Sequence, residues 1–494
     1  MNNWLPTLGR IAGPLAFMLL YFFVEAPSLA PEGKLMLGLT LWMAIWWITE
    51  AVPIAGTALL PLVVLPLLGV LSIKQVSSNY MDPTVLLYMG GFLLATAIEK
   101  WGLHRRIALN IINLLGTDLR RIVLGFMLAT GFLSMWISNS ATALMMLPIG
   151  LAVIGQFKHH LGDENGILST HLAKNILLGI AYAASIGGIA TLIGTPTNNI
   201  LRAVVEKLYN YTIDFNEWML FAFPFTVVLM AIAWFYLVNF GNPLPKKFQL
   251  SEAKSVIQEQ LSKIGKITFE EKTVLIVFGI VCFSWITRSF LLAPLLPALD
   301  DTIIALIGVL LLLLLPSSGK SEPKGRILDW KTAEQIPWGV LILFGGGLAL
   351  AEGFKETGLA DWIGQHLSLI EGVSFFVLLL IIVAAVNFLT EVTSNVATAS
   401  MLLPILASVA IKLDVHPFGL MVGATLAASC AFMLPVATPP NAVVFGPGYL
   451  KIKDMVKVGL WLNIISIILL TLMVYFILPW LWKIDLQAYP FEGF

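Results

Sequence analysis

The stretch Trp136-Ile137-Ser138-Asn139-Ser140-Ala141-Thr142-Ala143-Leu144-Met145-Met146-Leu147-Pro148-Ile149 returns about half a chain later. There it reads Val392-Thr393-Ser394-Asn395-Val396-Ala397-Thr398-Ala399-Ser400-Met401-Leu402-Leu403-Pro404-Ile405. A second echo follows each copy: Gly194-Thr195-Pro196-Thr197-Asn198 after the first, Ala437-Thr438-Pro439-Pro440-Asn441 after the second. Two polar, helix-breaking motifs, each present twice in apolar sequence, mark a duplicated site inside a membrane.

Composition sets the class. The chain of 494 residues is 58% hydrophobic and 12% charged, with mean hydropathy +0.88. A soluble domain carries about 25% charged residues, so this is an all-α polytopic membrane protein. Its net charge is zero, which leaves no global field to attract nucleic acid. Cys282 and Cys430 sit alone in apolar segments and supply neither a disulfide framework nor a metal motif. No HExxH and no GxSxG occur, and no paired aspartates lie within the spans, Asp300-Asp301 standing at a segment start, so an intramembrane enzyme is not expected. A channel would draw its pore from subunit symmetry or a continuous polar lining, and a doubled pair of breaks favours a transporter.

A span needs about 20 apolar residues. That rule predicts helices near 11–25, 34–49, 53–71 and 84–99, then an amphipathic connector carrying Lys100, Arg105 and Arg106. The apolar run 122–157 is split by Ser138-Asn139-Ser140 into arms too short to cross comfortably, which predicts a re-entrant hairpin. A helix near 176–204 interrupted at Gly194-Thr195-Pro196, and a span near 217–240, complete the first half. A hydrophilic linker over 242–272, with a short amphipathic helix, joins the halves. The second half repeats the order: spans near 273–291, 300–316 and 338–354, a broken segment over 373–411, an interrupted helix near 417–446 and a last span near 456–482. The expectation is about eleven transmembrane helices plus two re-entrant hairpins, arranged as internal repeats, which in transporters commonly hold the site at their interface.

Charge orients the chain. With the N-terminus in the cytoplasm, all but eight of the 29 Lys and Arg residues fall on the cytoplasmic side. The eight are Lys34, Lys74, Arg202, Lys207, Arg288, Lys355, Lys412 and Lys483. The positive-inside rule therefore predicts a multi-pass protein of the cytoplasmic (inner) membrane with its N-terminus inside. The same count sets the two hairpins on opposite sides, an inverted pair.

In hydrocarbon each unpaired backbone polar group costs several kcal/mol. A helix therefore breaks at mid-depth only where protein, water or ligand receives the freed groups. Freed carbonyls with Ser, Thr and Asn oxygens suit Na⁺, and exposed half-helix N-termini suit a carboxylate. Of the few intramembrane charges, Glu50 reads as a local cap at a segment end. Glu391, close to Asn395, reads equally as a functional carboxylate or a local partner.

These residues resemble the divalent anion/sodium symporter family, over nearly the whole chain from Trp46-Trp47-Ile48-Thr49-Glu50-Ala51-Val52-Pro53 to Thr438-Pro439-Pro440-Asn441. The family's mark is a Ser-Asn-Thr motif at each hairpin tip, here Ser138-Asn139-Ser140 and Ser394-Asn395-Val396. The resemblance implies sodium-coupled symport of C4-dicarboxylates such as succinate, malate and fumarate by an elevator mechanism, in a homodimer formed through a scaffold domain. It implies scaffold helices and connector over 1–116, a first transport-domain half over 117–210 and scaffold helices with the linker over 211–372. A second transport-domain half over 373–450 and a C-terminal helix over 451–494 follow.

Na⁺, the co-transported ion, would meet Ser134, Ser138, Asn139 and Gly194 at one site and Thr390, Thr393, Asn395 and Ala437 at the other. The substrate would meet Asn139, Ser140, Thr195, Asn395, Val396, Thr438 and Pro439. Ser140 keeps the hydroxyl of the family's Thr and Val396 loses it, removing one substrate hydrogen bond worth about 1 kcal/mol. Citrate or another di- or tricarboxylate, and sodium-independent dicarboxylate exchange, stay open as alternatives.

Overall fold

The structure is a computed structural model that describes residues 4–116, 118–161, 166–246, 251–318, 325–365 and 373–490. Lys247 of the linker and Lys320 and Lys324 of the charged loop lie outside the described residues.

Every named element among the described residues is helical. It opens with α1 (Trp4–Phe23), α2 (Pro31–Thr49), α3 (Ile54–Thr57), α4 (Leu60–Leu67), α5 (Ile73–Ser78) and α6 (Pro83–Lys100). The amphipathic α7 (Leu103–Leu115) leads to α8 (Leu119–Ser134) and α9 (Asn139–Leu161). Then come α10 (Gly166–Ile189), α11 (Pro196–Tyr209) and α12 (Phe215–Tyr236). The linker helix α13 (Ser251–Ile264) precedes α14 (Phe269–Thr287), α15 (Asp301–Leu314), α16 (Trp330–Ala333), α17 (Trp338–Glu356) and α18 (Leu359–Gln365). Last come α19 (Phe375–Leu389), α20 (Asn395–Lys412), α21 (Pro417–Ala428), α22 (Pro439–Phe445) and α23 (Ile452–Trp482). Nine helical segments among the described residues are long and apolar enough to cross a membrane.

All four expected breaks are present, and the local chemistry explains them. Ser138 and Ser394 each accept from the backbone N–H three residues on, Ala141 at 3.3 Å and Ala397 at 3.5 Å. Each thus caps the helix that follows it. In the second echo Thr195 and Thr438 occupy the N-cap position, with Pro196 and Pro439 opening α11 and α22. Proline is well suited to that first position, where its missing N–H would have had no partner. Both motifs are therefore helix-start signals, and each break ends in a fresh N-terminus.

The expected span over 53–71 is the main departure. It forms only α3 and α4, an apolar stretch of Ile54–Leu67, about 21 Å long at 1.5 Å per residue against a hydrocarbon core of about 30 Å. Pro53 caps α3, Pro61 sits in the first turn of α4 and Pro66 lies further inside it, so the backbone cannot run on as one helix.

The packing is reciprocal. Both arms of the first broken segment, α8 and α9, pack on α10, and both arms of the second, α19 and α20, pack on α21. Across the repeats α9 packs on α22 and α20 on α11, the exchange of partners that a twofold relation produces. A smaller apolar cluster lies apart from the main core, built from Met36, Leu39 and Met43 of α2 with Leu343, Leu350 and Phe354 of α17, and it reaches Ala397 of α20.

Ion pairs sort by face. Lys100–Asp329, Arg106–Glu271 and Lys174–Asp454 join elements that the charge count puts on one side. Arg202–Asp301, Lys207–Glu352 and Arg288–Asp214 join elements on the other. Glu50 is exposed and ends α2 in the left-handed conformation, its N–H bonded to Trp46 O, a local cap as its position suggests.

Candidate functional site

The two polar tips build matching oxygen clusters. In the first repeat Ser134 Oγ donates to Ala184 O of α10 at 2.6 Å and lies 2.6 Å from the Asn139 amide. That amide, turned with its NH₂ inward, also donates to Ala184 O at 3.1 Å and Gly194 O at 3.2 Å. Turned the other way it presents a fourth oxygen to the same spot. A cation entering there would meet a hydroxyl, an amide oxygen and two backbone carbonyls, a set of hard neutral ligands.

The second repeat reproduces the pattern with a threonine. Thr390 Oγ1 donates to Asn395 Oδ1 at 2.7 Å and lies 3.1 Å from Ala428 O, the last residue of α21. Ser134 and Thr390 each stand five residues before their asparagine, so the same geometry follows from the same spacing.

Close backbone approach makes the first cluster possible. A Cβ on Gly188 would come within 2.4 Å of Asn139 Oδ1, and one on Gly187 within 2.3 Å of Gly131 O. Only glycine lets α10 lie this near both α8 and the tip.

Each break is stitched by the asparagine that ends its second motif. Asn198 Nδ2 donates to Ile189 O at 3.1 Å and Thr191 O at 2.8 Å, and Asn441 Nδ2 to Ala431 O at 3.3 Å and Leu434 O at 3.0 Å. These bonds return to the freed carbonyls the partners that the helix no longer gives them. The two interrupted helices touch each other at Thr197 Oγ1 and Ser429 Oγ, 2.7 Å apart. Four helix N-termini, those of α9, α11, α20 and α22, thus start at breaks within one packed assembly.

Not every expected ligand enters a cluster. Ser138 caps α9. Thr393 donates to Leu389 O at 2.9 Å and pairs with Thr398 at 2.7 Å, on a groove shared with Trp47, Ile48 and Met401. The carbonyl that meets Thr390 belongs to Ala428, at the near edge of the second break, whereas Ala437 lies at its far end. Ser140 is half-buried, and its hydroxyl has no protein partner among the described residues. Val396, its counterpart, packs against both apolar clusters. Thr195 is buried, Thr438 accepts from Asn441 N at 3.3 Å, and Pro439 is exposed.

Four residues of this assembly escape sequence reading. Ala184 and Ala428 act through carbonyls, which any residue supplies. Asn198 and Asn441 stood inside the quoted motifs, and their repetition was the available signal. No group of three or more His, Cys, Asp or Glu residues among the described residues could hold a resident metal.

A family model described as the sodium:sulfate symporter transmembrane region matches residues 7–484. The chain belongs to this family. It is 48% identical over 493 residues to the sodium-dependent dicarboxylate transporter SdcS of Staphylococcus saprophyticus, covering 98% of this chain and 94% of that one. It is 46% identical over 486 residues to SdcS of Staphylococcus aureus strain USA300, covering 97% and 92%.

Two solved structures share the fold. The Alcanivorax borkumensis YdaH transporter matches with TM-score 0.57 at 13% identity, over 90% of this chain and 99% of that one. Neisseria gonorrhoeae MtrF matches with TM-score 0.59 at 13% identity, over 97% and 99%. Family membership bears out the resemblance to divalent anion/sodium symporters and sets this symporter-family chain among transporters rather than enzymes.

Proposed function

We propose that this protein carries out sodium-coupled symport of C4-dicarboxylates, succinate, malate and fumarate, across the cytoplasmic membrane. The observation that carries the reading is the pair of oxygen clusters, Ser134–Asn139–Ala184 and Thr390–Asn395–Ala428. Each takes one Na⁺, with Gly194 O completing the first.

The substrate carboxylates bind between them, at the N-termini that open α9, α11, α20 and α22. Asn139, Ser140, Thr195, Asn395 and Thr438 are the contacts, and Val396 closes one wall without a hydrogen bond. Two Na⁺ charges balance the two carboxylates, so the loaded carrier crosses the low-dielectric membrane without a net cargo charge. The names of the two SdcS relatives support the same cargo.

Alternating access comes from movement of the unit built from α8–α11 and α19–α22 against the scaffold of α1–α6 and α14–α17, through which two copies pair. Re-entrant hairpins approaching from opposite sides, with the N-terminus in the cytoplasm, agree with the sorting of the ion pairs by face.

The test is uptake of labelled succinate into proteoliposomes. An inward Na⁺ gradient should drive accumulation, and collapsing it should abolish the effect; uptake indifferent to Na⁺ would leave exchange as the better account. Citrate, tartrate and sulfate added as competitors rank the cargo. Gly188→Ala offers an independent check. Its new methyl displaces Asn139, so the Na⁺ concentration for half-maximal uptake should rise by about tenfold or more, read from a Na⁺ titration at fixed succinate.

A further inference from the structure

The second break differs from the first in one respect that the repeat does not predict. Glu391 occupies the place held by Met135 in the first copy, one residue after Thr390 as Met135 follows Ser134. Its side chain is only 3% exposed. Oε1 accepts from Phe432 N at 2.8 Å, Met433 N at 2.9 Å and Asn463 Nδ2 of α23 at 2.7 Å. Oε2 accepts from Leu434 N at 3.0 Å. Three consecutive backbone N–H groups of the unwound segment therefore close on one carboxylate, a nest for an anion filled by the chain's own side chain.

The carbonyls of the same segment are held as well. Asn387 Nδ2 donates to Cys430 O at 2.6 Å, and Asn441 takes Ala431 O and Leu434 O. Thr390, next in the chain to Glu391, holds Asn395 and Ala428 O. The acid thus fastens the tip of α19 to the break whose near edge is Ala428.

Among the described residues no Lys, Arg or His pairs with Glu391. Buried carboxylates are normally neutralised by a cation as well as by donors. Beside the second oxygen cluster, the available cation is the transported one.

We propose that Glu391 is a positioning residue for the second cation site. Anchored on the 432–434 segment, it keeps its neighbour Thr390 against Asn395 and Ala428 O, and its fixed negative charge strengthens the field that draws Na⁺ to that site. The inference rests on the sodium-coupled reading above. It implies unequal sites: the first cluster, with Met135 in the matching place, has no such charge.

The experiment is a Na⁺ titration of labelled succinate uptake by wild type, Glu391→Gln and Glu391→Asp in proteoliposomes. Wild-type uptake indifferent to Na⁺ would be a failure of the sodium-coupled reading itself, visible before any variant is measured. Given Na⁺-driven wild-type uptake, Glu391→Gln should raise the Na⁺ half-saturation by about 10- to 100-fold and make the Na⁺ dependence less steep. Maximal rate and succinate half-saturation at saturating Na⁺ should stay near wild type.

A fall in maximal rate with unchanged Na⁺ half-saturation is what a purely structural acid would give, and it overturns the proposal. Should Glu391→Gln not fold, Glu391→Asp carries the test, since it keeps the charge and shortens the reach. A raised Na⁺ half-saturation at unchanged maximal rate supports the proposal, and an unchanged one overturns it.

Discussion

Asn139→Ala is expected to raise the Na⁺ concentration for half-maximal succinate uptake about thirtyfold. The Asn139 amide lies within 3.2 Å of oxygens from three separate parts of the chain: Ser134 on α8, Ala184 on α10 and Gly194 in the break. Alanine removes a ligand from the proposed cation and leaves these buried groups without the partner that holds them in register. Unsatisfied buried polar groups cost about 1–3 kcal/mol each. A net loss of about 2 kcal/mol in cation binding corresponds to about a thirtyfold weaker site at 1.4 kcal/mol per tenfold. Asn395→Ala should have a smaller effect, since Asn395 holds Thr390 alone among the second cluster's groups. A Na⁺ titration of uptake measures both, and Na⁺-dependent thermal stabilisation of the purified carrier gives the same ranking without transport. Full retention of Na⁺ dependence in Asn139→Ala would remove the first cluster from the mechanism.

The motifs were legible because they are local. A serine that caps and a threonine followed by proline start a helix wherever they stand, so the sequence announced where α9, α20, α11 and α22 begin. Their duplication in apolar surroundings announced that the interruptions were meant. The partners of those motifs were less legible, because they are backbone atoms or lie far along the chain.

Ala184 and Ala428 contribute carbonyls that carry no residue signature. Glu391 stood beside the second motif in plain view, but its acceptor role depends on Phe432, Met433 and Leu434, about forty residues on, and on Asn463 of α23. Thr393 shows the converse. The family resemblance set it beside Thr390 as a cation ligand, and the turn of the tip sends its hydroxyl to Leu389 O and Thr398. Composition likewise counted 53–71 as a span, whereas three prolines divide and shorten it.

Asp301→Ala should be among the most damaging single substitutions for stability, although Asp301 lies outside both clusters. Asp301 opens α15 and is fully buried. Its Oδ2 takes Arg202 Nη1 of α11 at 3.3 Å and Phe215 N of α12 at 3.2 Å, and its Oδ1 lies 2.9 Å from Arg288 Nε at the end of α14. The last is a charge contact without an aligned N–H, because Arg288 directs a nitrogen of its guanidinium to Asp214.

One carboxylate on α15 therefore serves two guanidiniums and a helix N-terminus contributed by three other elements. Removing it leaves Arg202 buried and unpaired, and breaking a buried pair from one side costs about 3–5 kcal/mol. Arg288 keeps Asp214, so the loss centres on Arg202. That residue sits two turns along the helix whose first turn carries Thr197 and Asn198, so a loosened α11 also loosens the first break. Thermal unfolding of the purified protein in detergent should show a markedly lower midpoint for Asp301→Ala and a milder drop for Asp301→Asn, which can still accept from Phe215 N. Arg202→Met combined with Asp301→Leu, removing both charges and filling the space, should recover much of the loss; a midpoint as low as that of the single variant would mean that the pair is not what holds α11 to α15.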